Sequence, residues 1–232
     1  MTKVVSLLIL QNLLFSISLA QLPVIENEHT QEQKREHFSL TRHTLYLNGA
    51  FATSVALFWQ LPASFTNWDK DNPPSHHNIH PRWKENIQTP PVWDNDGIFW
   101  NWLGHPYVGA SLYTLAREHQ LSWKQSCVYS FMTHTLLWEY GWEALMEPPS
   151  AIDILTASVL GCPLGAGFDH LSKQMKQNPS GWFEHAALFF MNPFTHIFRG
   201  IDRWLQIKEE HSYHLSVVPL GRKVVVNLQL GF

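Results

Sequence analysis

Glu139 and Glu143 stand four residues apart in a stretch patterned as a helix, so their carboxylates project from one face. Two acids one turn apart serve as a general acid and base or as metal ligands. Upstream, the same stripe carries Val128, Met132 and Leu136, core-type residues that place the acids at the edge of the interior. Carboxylates in the last turns of a helix oppose its macrodipole by about 0.3 to 1 kcal/mol each, so something cationic is expected to face them. Arg117, Arg199, a protonated His105 and a metal ion are the candidates. Glu147 follows one turn on, just before a helix start that faces its charge. Asp153 sits three residues after Ser150, where a capping role explains it as well as catalysis does. His105 precedes Pro106 at a helix start, placed to act as a general base or ligand, or simply to stack among Trp100, Trp102 and Tyr107. The candidate catalytic set is therefore His105, Arg117, Glu139, Glu143, Glu147 and Asp153; the competing reading is a solvated acidic helix end with structural ion pairs. His134, with Phe131 and Trp138 on its face, reads as a satisfied core histidine. His76 and His80 have ligand spacing only if the Pro-rich segment around them is helical. There is no Gly-x-Ser-x-Gly, no phosphate-cradling glycine loop and no Cys with an evident His partner.

These residues need helices to position them. Pro106 suits the first turn of a helix running to about His119. Ser122 and Gln125 form a capping box for a long helix over about 123 to 146. Ser150 and Asp153 form a second box, for a helix expected to stop at Gly161; Pro163 starts another reaching about Lys176. Two more fit 181–191 and 193–208, divided at Asn192-Pro193. The tail changes period: Val224, Val226, Leu228, Leu230 and Phe232 alternate with polar or small positions. Tyr213 to Leu220 can pair with it through Gly221-Arg222. The predicted fold class is mainly α, a multi-helix bundle over 96–210 with a C-terminal antiparallel β-hairpin over 211–232. The hairpin's apolar face is expected to pack on the helices or to act as an outer-membrane assembly signal, since one hairpin cannot close a barrel.

Ahead of the bundle, residues 1–20 have the cationic start, apolar middle and small-residue end of a signal peptide. Residues 21–44 read as a flexible leader, 45–65 as an apolar, membrane-apposed helix, and 66–95 as a Pro/Trp/His-rich loop. Aromatics make up 13% of the chain and charged residues only 15%, against about 25% in soluble domains. Such a surface meets lipid or a large partner. The formal net charge of −3 gives no electrostatic case for nucleic acid. Cys127 and Cys162 are either a disulfide, which export would permit, or two packed free thiols.

From Pro91 to about Gly165 the chain resembles a bacterial family catalogued as domain of unknown function 3943. The resemblance rests on Trp93-Asp94 with Trp102, Gly104-His105-Pro106 with Gly109, Tyr113, Ala116-Arg117 and Ser126. It continues through Trp138-Glu139-Tyr140, Glu143, Glu147, Pro149-Ser150, Asp153, Gly161 and Gly165. The resemblance implies a helical module and an envelope location, and no established activity. It also implies an acidic residue after the last glycine, where this chain has Ala166 or Phe168. The expected setting is the cell envelope, periplasm or outer membrane, with membrane lipid or an envelope protein as partner. Two functions follow. One is a non-catalytic membrane or assembly component, which the missing nucleophile favours. The other is a hydrolase acting on a lipid or cell-wall substrate through the Glu/His cluster. The cofactor, if any, is unknown at this point.

Overall fold

The computed structural model describes residues 30–75, 77–94, 96–177, 181–207, 213–220 and 223–230, and side chains within 39–207. The expectations for the signal peptide, for residues 21–29 and for His76 fall outside these residues. The chain is mainly helical. Helix α1 spans Thr30–Trp59, α2 Ala63–Thr66 and α3 Ile79–Gln88. A π-helical turn, Trp100–Gly104, runs into α4, His105–Glu118. Helix α5, Trp123–Met132, continues as a π-helix, Thr133–Trp142. Helix α6 covers Ala151–Gln177, α7 Trp182–Met191 and α8 Pro193–Trp204. In the tail, the backbone of Tyr213–Leu220 pairs antiparallel with Lys223–Leu230, Leu215 opposite Leu228. Whether that pair rests on the helices falls outside the described side chains.

Local chemistry explains the starts. Ser122 accepts from the Gln125 amide and Gln125 returns a bond to the Ser122 amide, the capping box expected for α5. Ser150 caps α6 by accepting from the Asp153 amide. Helix α6 does not stop at Gly161. It widens through a π segment at Thr156–Leu160 and runs on past Pro163, since a loosened turn ahead of a proline accommodates its missing N–H and its ring. Helix α1 likewise begins well before Leu45. Two polar residues at the end of the expected leader, His43 and Thr44, are buried: Asp202 of α8 accepts from His43 together with Arg42 and Tyr46, and His43 meets His119 at 2.9 Å. Burial alone would raise Asp202, but these donors outweigh it and hold its carboxyl down to about 2. The segment 66–95 is not one loop either. It contains α3, and its Trp68 and Trp83 are core residues.

Helices α4 and α6 lie close together. A Cβ at Gly109 would sit 2.0 Å from the Ala157 carbonyl oxygen, and one at Gly161 2.9 Å from the Gly109 Cα, so only glycine permits this crossing. Cys127 and Cys162 are bridged, with 5.4 Å between their Cα atoms, tying α5 to α6 across 35 residues. Loop-closure entropy gives such a bridge about 4 kcal/mol. The paired variant Cys127→Ser/Cys162→Ser is expected to melt about 10 °C lower than the oxidised protein in differential scanning calorimetry; equal melting would show that the bridge adds no stability.

Candidate functional site

The widened turns converge on one polar pocket. In an α-helix His134 and Glu139, five residues apart, would point about 140° away from each other. Within the π-helix of α5, the His134 Nδ1 lies 3.8 Å from a Glu139 oxygen. The same re-phasing corrects the predicted stripe. Val128 is exposed and Met132 and Leu136 only half-buried, while Ser126, Tyr129, Ser130, Thr133 and His134 face inward. The inward face of α5 is small and polar, and hydropathy selects the other one.

His105 opens α4 beside this face. Its Nδ1 is 3.0 Å from the His134 Nε2, and its Nε2 is 3.3 Å from Asp153 in the first turn of α6. Glu139 accepts the Ser150 amide at 2.8 Å. Glu147 accepts from the Trp68 indole at 2.8 Å. Two acids that sequence reasoning missed as site residues complete the pocket. Val92 bridges to the start of α6, accepting from the Ala151 amide and donating to the Pro149 carbonyl. That bridge sets Asp94 against Ser150 and Asp153, where it accepts from Asn101 and from the Asp96 amide. The available signal was the Asp94-x-Asp96 pair inside a segment crowded with Trp and Pro.

The site therefore gathers His105, Glu139, Glu143, Glu147 and Asp153, as the sequence grouped them, but not Arg117. Arg117 leaves from the far end of α4 to pair with Asp169, and Arg199 pairs with Glu118. Among the described residues no Lys or Arg forms an ion pair with any of the six carboxyls. His105 is not the missing cation, because burial lowers it to about 4. His134, expected to be a satisfied core residue, is fully buried with its Nδ1 lacking a hydrogen-bond partner, and burial then the neighbouring His105 push it well down.

The acids respond in the other direction. Burial, then Asp94's charge, raises Asp96 to about 6 and Asp153 to about 8. Burial, then Asp96, raises Glu147 to about 8. Burial, with Asp153 next for Glu139 and Glu139 next for Glu143, puts both glutamates well above the usual range. Asp94 alone is held low: burial works against it, but Ser150, the Asp96 amide and Asn101 prevail. Neutral imidazoles beside carboxyls that range from ionised to protonated are the partition general acid–base chemistry uses. Two sets of three have ligand atoms within 4.8 Å of one another, as a metal ion requires: His105, His134 and Glu139, and Asp94, Asp96 and Asp153.

Above the acids lies a cavity of about 130 Å³. Phe51, Phe58, Val108, Trp138 and Phe194 are among its walls, and Asp96, His105, His134 and Glu143 supply its polar groups. Against known proteins, residues 90–194 match the model of a family described as Domain of unknown function (DUF3943). No curated protein and no solved structure matches the chain.

Proposed function

Residues 90–194 belong to the DUF3943 family, and on that premise we propose that this protein is a membrane-apposed hydrolase of the cell envelope that acts on a lipid ester. The observation that carries the reading is an apolar cavity ending on titratable groups, with Glu143 and Asp96 both at its wall. Its size is close to the roughly 150 Å³ of a cavity that takes a benzene-sized group, suited to the acyl segment next to an ester and not to a hydrated glycan. Glu143, kept protonated by burial, donates to the leaving oxygen. Asp96, raised to about 6 and therefore ionised at neutral pH, polarises the attacking water.

The membrane part rests on the outer surface. Ile98, Phe99, Trp102 and Leu103 are exposed on either side of Trp100, which lines the cavity, so lipid-facing groups flank that wall. Leu155, Val159, Leu164 and Leu171 add an exposed apolar face on α6, the one helix among the described residues long and apolar enough to cross a membrane. Small or hydroxylated residues, Gly109, Gly161 and Ser130, meet where α4, α5 and α6 cross, while these large apolar residues of α6 face outward, an arrangement that suits a lipid surrounding. The test is fatty-acid release from diacyl phospholipid vesicles by the full chain. Release is expected, together with its loss in Val108→Trp, which fills the cavity. Absence of release, or a fully active folded Val108→Trp, would overturn the proposal.

A further inference from the structure

We propose that Asp94, Asp96 and Asp153, with His105 beside them, hold a divalent cation. Their carboxyl oxygens already lie within 4.8 Å of one another. Three independent pieces of backbone deliver them: Asp94 and Asp96 by the Val92 bridge to the start of α6, Asp153 by the first turn of that helix, and His105 by the first turn of α4. Asp153 is 3% exposed and its Oδ1 has no hydrogen-bond partner.

A shared proton between Asp94 and Asp153 would satisfy that oxygen, but two others stay orphaned. These are Asp96 Oδ1 and the oxygen of Asn101, a neutral side chain 4% exposed whose amide nitrogen donates to Asp94. Buried acceptors without donors cost about 1 to 3 kcal/mol each, so a site that leaves such acceptors together is built for a cation. Among the described residues no ion pair with Lys or Arg supplies one. Three carboxylates with an amide oxygen nearby are hard donors and select Mg²⁺, Mn²⁺ or Ca²⁺ over zinc; a neighbouring imidazole suits Mn²⁺ among them. The inference rests on the hydrolase reading only for the ion's task, which would be to hold and activate the water beside Asp96.

The full chain, stripped with a chelator, would be titrated with Mn²⁺ while electron paramagnetic resonance counts the free ion. One saturable ion per chain is expected, with affinity reduced about 100-fold or more in Asp153→Asn and unchanged in Asp169→Asn, whose acid pairs with Arg117. If circular dichroism shows Asp153→Asn unfolded, Asp96→Asn, half-buried at the cavity wall, takes its place. No saturation up to about 1 mM Mn²⁺, the weak limit for extracellular cation modules, or binding indifferent to the Asn variants, would overturn the proposal. Binding without hydrolysis would defeat the enzyme reading alone, and undiminished hydrolysis by the stripped chain would defeat the ion's role while binding is judged separately.

Discussion

Glu143→Gln is expected to reduce lipid-ester hydrolysis by about 100- to 10,000-fold while the melting temperature stays unchanged or rises. The size follows from removal of a positioned general acid. The stability follows from the state of the side chain: Glu143 is 8% exposed and burial favours its protonated form, so a neutral amide of the same shape replaces it with little loss. Glu139→Gln provides the contrast. Glu139 touches the Ser150 amide and does not line the cavity, and an amide oxygen can still accept that bond. Its activity is expected to fall far less. A structural cluster would behave differently, with both variants losing stability and activity together. Full activity in Glu143→Gln would remove it from the reaction.

Acidification should stabilise the chelator-stripped protein between pH 8.5 and 6.5, by an amount on the order of 5 kcal/mol. Asp153 and Glu147 keep their protons up to about 8 in the folded chain, and Glu139 and Glu143 are raised as well, whereas in the unfolded chain all four ionise near pH 4. Between those limits the folded state binds more protons, so its stability is full below the unfolded values and is lost as pH rises through the folded ones. The histidines act oppositely. His43 and His105 are lowered to about 4, so they withdraw stability as pH falls below about 6.5, and the gain should become shallower there because four acids are opposed by these two histidines. Urea midpoints at pH 8.5, 7.5 and 6.5 measure the slope. A flat profile, or one rising with pH, would contradict the burial of these acids, and Asp153→Asn should flatten it by removing one titrating group.

The sequence by itself determined most of the helix starts in the bundle. Capping at Ser122 and Ser150, Pro106 at a first turn and the Asn192-Pro193 break are local bonds and dihedral limits, legible because they act within four residues. His105, Glu139, Glu143, Glu147 and Asp153 come together around one pocket for a related reason: acids without nearby basic partners, placed around helix ends, have few ways to be satisfied. Only the tertiary structure decided the rest. Widened turns re-phased α5, turned His134 and Glu139 toward each other and carried α6 past Pro163, and a pattern read at one fixed period misses such shifts. Arg117 looked like the partner of the glutamates, yet it leaves the opposite end of α4 for Asp169. Asp94 and Asp96 joined through a single bridge between Val92 and Ser150, a contact across 58 positions that no local propensity encodes. Polar His43 and Thr44 were read as leader because hydropathy assumes solvent, whereas a buried polar group needs only a partner, and theirs lie on α5, on α8 and just past the end of α4.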